Sequence, residues 1–262
     1  MATAAREFAV VTGASSGIGL ELAKQCRDHG FDLLIAADGD DINKAASELS
    51  QGGARVEAVQ ADLSNEQGVG KLIEGIAGRP VDALLANAGR GLGHAFLDQE
   101  VPTWRKVVDT NVTGTLLLTH HVARQMRNAG KGRILITGSI AGFMPGAYQA
   151  VYNASKSFLD SFSFALRHEL KDTGVTVTCL MPGATETDFF ETAGMMDTKI
   201  GTSKKDDPAM VAEQGFRAMM NGEGDVVTGW YNKLQSAIAN VMPADLAAKM
   251  HERMAAPGTA QH

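Results

Sequence analysis

Short apolar runs alternate with longer amphipathic stretches along nearly the whole chain, and this alternation is the feature that most constrains the fold. The apolar runs predict β-strands, and the stretches between them, with apolar residues at helical spacing, predict helices. The predicted strands are Phe8–Val11, Leu33–Ala36, Val56–Val59, Val81–Ala86, Arg133–Thr137, Val175–Met181 and Asp225–Thr228. The predicted helices are Gly17–His29, Ile42–Ser50, Glu66–Ala77, Thr103–Asn128 (in one or two segments), Val151–Lys171 and Pro208–Met220.

This pattern favours one layered architecture. Strands that alternate with helices predict an α/β fold, in which helices cover both faces of a parallel sheet. The strands are nearly continuous apolar runs, as expected when both faces are covered. The chain of 262 residues has no long linker rich in Pro, Gly or Ser, so we predict a single domain over residues 1–262 with a doubly wound, seven-stranded, mostly parallel sheet. The end, from Met242, should be helical at first, with a frayed tail over residues 255–262.

Composition and charge exclude several classes of function. The formal net charge of −6 at pH 7 argues against nucleic acid as the main partner, because such proteins need a basic surface to neutralise phosphates. No apolar run approaches the roughly 20 residues that a membrane-spanning helix needs, and the first residues lack the pattern of a signal peptide. Cys26 and Cys179 do not suggest a disulfide framework. We therefore expect a cytoplasmic protein with no membrane partner.

A glycine-rich turn joins the first predicted strand to the first predicted helix. In this turn Gly13 permits the tight reversal, Gly17 lets the backbone approach a pyrophosphate, and Gly19 lets the helix pack closely. The helix N-terminus presents free N–H groups to the anion, and an acidic residue follows roughly 20 positions later, as in dinucleotide sites. A plain glycine-rich turn is the alternative, but the position of the turn in the first βαβ unit favours a Rossmann-type dinucleotide site.

Further motifs follow the glycine turn along the chain. With that turn, they are Thr12–Gly19, Asp62-Leu63, Asn87-Ala88-Gly89, Asn111, Ser139, Tyr152–Lys156 and Pro182-Gly183. Each motif is weak alone, but together, in this order and at this spacing, they resemble the short-chain dehydrogenase/reductase family in its compact single-domain branch. The resemblance extends from Val10 to about Thr228. It implies an oxidoreductase that transfers a hydride between a nicotinamide dinucleotide and a carbonyl/alcohol pair.

The resemblance implies four catalytic residues. Tyr152 would be the general acid/base; Lys156, one helical turn later on the same face, would favour the phenolate by Coulomb attraction and hold the nicotinamide ribose. Ser139, at the end of the fifth strand, would hydrogen-bond the substrate oxygen, and Asn111 would hold a water that links Lys156 to solvent. A structural tyrosine on an amphipathic helix is the alternative for Tyr152. Tyr148 has no lysine four positions later.

The expected cofactor is a nicotinamide dinucleotide, with NAD favoured over NADP. Asp38 follows the second predicted strand, where its carboxylate would bind the adenine-ribose hydroxyls and repel a 2′-phosphate. No Arg or Lys falls within residues 31–43. NAD-dependent relatives usually carry the Asp at the position of Ala37, and a solvated acidic loop over 38–41 is the alternative. The other expected cofactor residues are Gly13, Ser15, Ser16, Gly17, Ile18, Gly19, Asp62, Leu63, Asn87, Ala88, Gly89, Tyr152, Lys156, Pro182, Gly183 and Thr187.

The substrate is expected to be a small, largely apolar carbonyl compound or alcohol. Segments 91–96, 143–145 and 188–207 would surround it, the last as a lid. Apolar residues of this kind adapt to varied ligands, and Arg90 is only a distant candidate for binding an anion. The pair His120-His121 has no visible ligand partner, so we predict no metal site. The apolar residues of the lid are Phe189, Phe190, Met195, Met196 and Ile200.

Other functions stay open on the sequence alone. A non-catalytic dinucleotide sensor could use the same fold, although it has no need of Ser139, Tyr152 and Lys156 together. A methyltransferase should lack the Tyr-x-x-x-Lys motif, and a sugar epimerase usually needs a longer chain. The resemblance also implies a homodimer or homotetramer that pairs through helices corresponding to 111–128 and 151–171. The second helix has more apolar residues than one buried face needs, namely Phe158, Leu159, Phe162, Phe164, Ala165 and Leu166.

Overall fold

Seven strands form one sheet in the part of the chain that the computed structural model describes, residues 6–51, 53–229 and 243–261. The strands are β1 Glu7–Thr12, β2 Phe31–Ala37, β3 Val56–Gln60, β4 Ala83–Ala86, β5 Gly132–Thr137, β6 Val175–Met181 and β7 Asp225–Val227. Their order in the sheet is β3-β2-β1-β4-β5-β6-β7, and each neighbouring pair is parallel. The predicted doubly wound α/β fold is confirmed.

Helices connect and cover the strands. The longer ones are α1 Gly17–Asp28, α2 Asp41–Ser50, α3 Glu66–Ile76, α4 Val101–Val108, α5 Thr115–Ala129, α6 Ala150–Glu169, α7 Pro208–Met220 and α8 Ala244–Ala255. Local chemistry sets their ends: the Asn65 side chain accepts a hydrogen bond from Gly68 N at the start of α3 (2.8 Å), and Asp207 caps α7 just before Pro208. None of these helices, all within the described residues, is long and apolar enough to cross a membrane.

The strand side chains divide the core into two apolar layers. On β2, Leu34 packs into one layer, whereas Leu33 and Ile35 pack into the other, and all three are at most 1% exposed. Helices α3, α5 and α6 contribute to the first layer, and α1, α2 and α7 contribute to the second. Burial on both faces explains why the strands are continuous apolar runs in the sequence.

The direction of winding reverses between β1 and β4, which are neighbours in the sheet. After β1 the chain crosses over to β2, and after β4 it crosses over to β5 on the other side. In sheets of this type a crevice opens at the reversal, outside the carboxyl ends of the strands. The fold therefore brings the glycine turn that follows β1 and the residues that follow β4 to the same crevice.

The helical stretch predicted over 103–128 is one continuous run with a wide turn in its middle. A π-helical turn at Asp109–Gly114 joins α4 to α5, and Asn111 in this turn is fully buried. A Cβ added at Gly114 would collide with the carbonyl oxygen of Leu63. Turns of this kind occur frequently at functional sites. Apolar periodicity predicts the helix but not this local widening.

The C-terminal residues contact the segment predicted as a lid. Gly258 N donates to the carboxylate of Asp197 (3.0 Å), and Ala260 N donates to the carbonyl oxygen of Asp197 (3.0 Å). These contacts join residues that follow α8 to the segment predicted as a lid, and they give partners to backbone groups that fraying would leave in water. The predicted limits of this region, Met242 and His262, lie outside the described residues.

The central strands should supply much of the stability. Leu84 on β4 is fully buried between β1 and the helices of the first apolar layer. We expect Leu84→Ala to lower the free energy of unfolding by about 2–5 kcal/mol, because it leaves a cavity in a packed core. Urea unfolding followed by circular dichroism measures the loss. The control is Leu97→Ala, at a position 91% exposed, which should change the value by less than about 0.5 kcal/mol. Equal losses in the two variants would contradict this assignment of the core.

Candidate active site

A cavity of about 980 Å³ opens at the carboxyl ends of the central strands. Every residue that the sequence predicts as a cofactor ligand lines it. These residues are Gly13, Ser15, Ser16, Gly17, Ile18, Gly19, Asp38, Asp62, Leu63, Asn87, Ala88, Gly89, Tyr152, Lys156, Pro182, Gly183 and Thr187. Ser139 lines the cavity as well. The fold thus brings together residues that lie up to 174 positions apart, from Gly13 to Thr187.

The glycine turn fits closely against the residues that follow β4. Gly13 (φ 65°) and Gly17 (φ 53°) have left-handed backbones. A Cβ added at Gly13 would lie 2.9 Å from Ala88 Cα, and one added at Gly19 would collide with the Gly13 carbonyl oxygen. Ser16 precedes α1, and within the described residues its side chain makes no capping hydrogen bond. The first N–H groups of α1 are therefore left for an anion in the cavity.

Asp38 faces the cavity from the loop that follows β2, where its carboxylate pairs with the guanidinium of Arg90. Ala37, where NAD-dependent relatives usually carry the acidic residue, ends β2 and is only 7% exposed. The loop thus turns Asp38 towards the cavity, although Asp38 comes one position after the place where NAD-dependent relatives usually carry the acidic residue. The sequence names Arg90 only as a distant candidate for binding an anion and does not predict its pairing with Asp38, because the two residues lie 52 positions apart.

Asp62 lies at the edge of the cavity, just after β3. Its carboxylate accepts a hydrogen bond from Ser64 N (3.0 Å) and pairs with Lys106 (3.0 Å). Partial burial opposes ionisation, but the hydrogen bonds from Ser64 and Lys106 outweigh it and lower the pKa of Asp62. Asp62 therefore presents a charged acceptor to this end of the cavity.

Asn87 ties together the ends of three strands. Its backbone N and that of Ala88 both donate to Thr12 Oγ1 (3.0 Å each), and its side-chain amide donates to the Thr12 carbonyl oxygen (3.2 Å). Asn87 Oδ1 accepts a hydrogen bond from Thr137 Oγ1 (3.1 Å). The side chain is thus engaged within the protein, and residues 87–89 offer chiefly their backbone to a ligand.

Ser139 and Tyr152 are in contact within the cavity. The Ser139 hydroxyl donates to the Pro182 carbonyl oxygen (3.3 Å) and accepts a hydrogen bond from Ala141 N (3.1 Å). The Tyr152 phenol also hydrogen-bonds to Ser139. The ring of Tyr152 packs against Phe189, with 5.0 Å between the ring centroids. Two of the predicted catalytic groups therefore share one hydrogen-bonding site.

Lys156 lies beside Tyr152 and is only 4% exposed. Its Nζ is 5.9 Å from the centroid of the Tyr152 ring and donates to the Thr137 carbonyl oxygen (2.8 Å). The ammonium group is therefore held at the end of β5 and faces the cavity, which it lines.

Asn111 does not line the cavity itself. Its Oδ1 accepts a hydrogen bond from Arg90 N (2.7 Å), and its Nδ2 donates to the Arg90 carbonyl oxygen and to Ser155 Oγ (3.0 Å each). The π-helical turn thus places Asn111 between the loop after β4 and helix α6, where its partner Ser155 directly precedes Lys156. The water that the resemblance assigns to Asn111 stays a prediction.

Burial has the largest effect on the pKa values of Tyr152 and Lys156 in the protein without its cofactor. Burial raises the pKa of Tyr152 to about 12, although the hydrogen bond with Ser139 acts in the opposite direction. Burial also lowers the pKa of Lys156 to about 8. The sequence predicts that Lys156 lowers the pKa of Tyr152, but in the free protein the desolvation of the phenol raises it.

Segments that lie far apart in the sequence form the rest of the cavity wall. Four of the predicted apolar residues line it, namely Met144, Phe189, Phe190 and Ile200. Two others do not, since Met195 is fully buried in a small cluster and Met196 is 52% exposed. Within the predicted lid, sequence reasoning named the apolar residues but not Lys199, Lys204 and Lys205, which also line the cavity. It missed Gln149, Met250, His251 and Met254 altogether. The last three are on α8, whose amphipathic pattern predicts a helix but not its place in the fold.

Comparison with known proteins gives the family. The sequence model of the short chain dehydrogenase family matches residues 7–197. Sulfoacetaldehyde reductase 2 from Chromohalobacter salexigens is 35% identical over 188 residues, which cover 70% of this chain and 74% of that protein. The chain belongs to the short-chain dehydrogenase family. The resemblance inferred from the motifs is therefore confirmed, and the protein is an oxidoreductase.

Solved structures of the family share the fold of this chain. A short-chain dehydrogenase from Sphingobium yanoikuyae in complex with NADPH has a TM-score of 0.80 and 26% identity, covering 90% of this chain and 95% of that one. A 3-ketoacyl-(acyl-carrier-protein) reductase from Brucella melitensis complexed with NADH has a TM-score of 0.74 and 28% identity, covering 85% of this chain and 97% of that one. The Rossmann-type sheet is thus common to this chain and both structures.

The burial of Lys156 should make stability depend on pH. Its pKa in the folded protein, about 8, lies below the 10.5 of an exposed lysine, so between these values the unfolded chain binds more protons and the free energy of unfolding rises with pH. Lys156→Met removes this contribution. The difference in unfolding free energy between the variant and the unaltered protein should change by on the order of 3 kcal/mol across this range.

Urea unfolding at intervals from pH 7.5 to 10.5 measures this difference. Lys171→Met, at an exposed position just after α6, is the control and should differ from the unaltered protein by the same amount at every pH. A constant difference for Lys156→Met as well would show that the Lys156 ammonium is not desolvated.

Proposed function

We propose that this protein is an NAD(P)-dependent oxidoreductase that transfers a hydride between nicotinamide and a carbonyl/alcohol pair, with Tyr152 as the general acid/base. The observation that carries the proposal is that Ser139, Tyr152 and Lys156 line the same cavity as the glycine turn after β1. The two structural neighbours, which hold NADPH and NADH, support a nicotinamide cofactor. The close approach at Gly13 and Gly19, where a Cβ would not fit, suits a pyrophosphate against bare backbone.

The described residues offer contacts along the length of a dinucleotide. The turn at 13–19 and the start of α1 would receive the pyrophosphate. Asp38 and Asp62 would bind the adenosine half, and Lys156 and Thr187 would bind the nicotinamide half. When bound, the dinucleotide supplies or accepts the hydride.

The protein, and not the dinucleotide, would exchange the proton with the substrate oxygen. Tyr152 would give its phenol proton to the substrate oxygen during reduction and take it back during oxidation. Ser139, in hydrogen-bond contact with the same phenol, would donate to that oxygen and stabilise the charge that develops on it. A Tyr152 pKa of about 12 keeps the phenol protonated at neutral pH, as carbonyl reduction requires. The Lys156 ammonium would favour the phenolate in the oxidation direction.

The substrate we propose is a small, largely apolar carbonyl compound or alcohol. The walls of the cavity include Met144, Phe189 and Met254, and methionine side chains adapt to ligands of varied shape. The 188–207 segment would act as a lid, because its Phe189 packs on the ring of Tyr152.

Removal of the Tyr152 hydroxyl tests the reaction. Tyr152→Phe should lower kcat by at least about 100-fold, because the general acid is lost, while the Kd for the reduced cofactor changes little. Turnover is followed by the absorbance of reduced nicotinamide with a panel of aldehydes and ketones, and binding by its fluorescence. Tyr148→Phe is the matched control and should keep full activity. Unchanged turnover in Tyr152→Phe would remove this residue from the mechanism, and cofactor binding without turnover in the unaltered protein would favour the non-catalytic sensor.

We also propose that NAD is the preferred cofactor and that Arg90 limits the strength of the preference. The Asp38 carboxylate would accept hydrogen bonds from ribose hydroxyls and repel a 2′-phosphate. Arg90, paired with Asp38, neutralises part of this charge and is itself suited to a phosphate. Both side chains are exposed by about 40% or more, so neither is locked in the pair.

Removal of the charge of Asp38 or of Arg90 should change the affinity for NADPH more than the affinity for NADH. We expect Asp38→Asn to bind NADPH about tenfold more tightly, and Arg90→Gln to bind it about tenfold more weakly, since one charged hydrogen bond contributes about 1.5 kcal/mol. The Kd for NADH should change less in Arg90→Gln. Fluorescence titration with both reduced cofactors measures the ratio. A preference of the unaltered enzyme for NADPH would contradict the choice of NAD, and equal effects of Arg90→Gln on both cofactors would contradict the role of Arg90.

A homodimer or homotetramer is the proposed assembly. Phe158 and Phe164 on α6 are 44% and 42% exposed, and Leu117 on α5 is 37% exposed. Large apolar side chains on these two helices favour contact with a second copy of the chain. A cytoplasmic location is proposed because Cys26 and Cys179 are both free thiols, as expected in a reducing compartment.

A further inference from the structure

A buried carboxyl group lies behind Ser139 and has no part in the mechanism above. Asp160 is on α6, one helical turn after Lys156, and is 5% exposed. Its Oδ1 accepts hydrogen bonds from Ser139 N (3.3 Å) and from Cys179 Sγ (3.5 Å). Its Oδ2 is buried, with no hydrogen-bond partner among the described residues. A buried polar atom of this kind costs free energy.

The turn after β5 is shaped around the Asp160 carboxyl group. A Cβ added at Gly138 would collide with Asp160 Oδ1, and one added at Gly142 would collide with Oδ2. Ser139 lies between these two glycines and donates its own backbone N–H to the same group. The position of the Ser139 hydroxyl, which meets Tyr152, therefore depends on Asp160.

Asp160 also opposes the effect of burial on Lys156. Burial lowers the pKa of Lys156 to about 8, and the Asp160 charge acts in the opposite direction. Burial raises the pKa of Asp160 to about 6, and the Lys156 charge opposes that. The groups that act on Asp160 are Lys156 from its own helix, Ser139 N from the turn and Cys179 from β6, and of these only Lys156 carries a positive charge. At pH 7 the two side chains thus coexist as ions, four positions apart on one helix.

We propose that Asp160 is a positioning residue for the reaction assigned above: its carboxylate fixes the Ser139 turn and supplies the negative charge that keeps Lys156 protonated. This inference rests on the proposed roles of Ser139, Tyr152 and Lys156. Without the Asp160 charge, Lys156 would lose its proton at lower pH. The Asp160 charge also raises the pKa of Tyr152, so its removal makes that phenol more acidic as well. Carbonyl reduction uses the proton of the Tyr152 phenol, so the loss of reduction activity at alkaline pH should begin at lower pH without the Asp160 charge.

The test is the pH dependence of carbonyl reduction by Asp160→Asn, whose amide keeps the shape of the carboxyl group but not its charge. With saturating reduced cofactor, the alkaline limb of kcat/KM should move to lower pH by roughly one unit. Glu169→Gln removes an exposed carboxylate from the same helix and should leave this limb in place. A folded Asp160→Asn enzyme with reduced activity but an unmoved limb would overturn the proposal, because a purely structural role lowers the rate without changing a pKa.

A second measurement does not depend on activity and serves if Asp160→Asn does not fold. Carboxyl ¹³C chemical shifts give the pKa of Asp160 in the unaltered protein and in Lys156→Met. That pKa should rise by roughly one unit or more in the variant, and an unchanged value would overturn the charge pairing. If the unaltered protein reduces no carbonyl compound with either nicotinamide cofactor, the proposed function fails, and this titration still decides whether Asp160 and Lys156 are paired.

Discussion

Hydrogen bonds among Thr12, Asn87 and Thr137 hold the carboxyl ends of β1, β4 and β5 together, and the site depends on them. The winding of the sheet reverses between β1 and β4, where no helical crossover bridges the two strand ends. At this point the side-chain amide of Asn87 hydrogen-bonds to Thr12 at the end of β1 and to Thr137 at the end of β5. Lys156 adds a bond from α6 to the Thr137 carbonyl oxygen. These hydrogen bonds therefore fix the relative positions of the glycine turn, the backbone after β4 and Ser139. A preorganised site requires such support.

The fold and most of the candidate site follow from local sequence patterns. Helix α7 begins and ends where the sequence predicts, because a capping Asp207, a Pro at the first helical position and apolar periodicity all act within a few residues. The expected cofactor residues share one cavity for a topological reason. Most of them directly follow a strand, and parallel strands end at one edge of the sheet. Tyr152 and Lys156 instead lie on α6, which comes after β5. A motif with its place in the strand order is thus enough to predict which residues meet.

Contacts across the fold and the effects of burial could not be predicted in this way. The pairing of Arg90 with Asp38 joins two loops on different strands, and α8 reaches the cavity only through the packing of the chain end. Spacing places Lys156 near Tyr152, but the pKa of each depends on how far water is excluded, which spacing does not give. Asp160 is an example both of a contact across the fold and of an effect of burial. Its four-residue distance from Lys156 is visible in the sequence. Its contact with Ser139 is not, nor is the lack of a hydrogen-bond partner for its Oδ2 among the described residues.

The bonds from Gly258 and Ala260 to Asp197 have a practical consequence for work with this protein. They hold the last described residues against a segment in which Lys199, two positions beyond Asp197, lines the cavity. A substitution at Asp197, or a deletion that removes Gly258 and Ala260, would therefore alter a wall of the cavity.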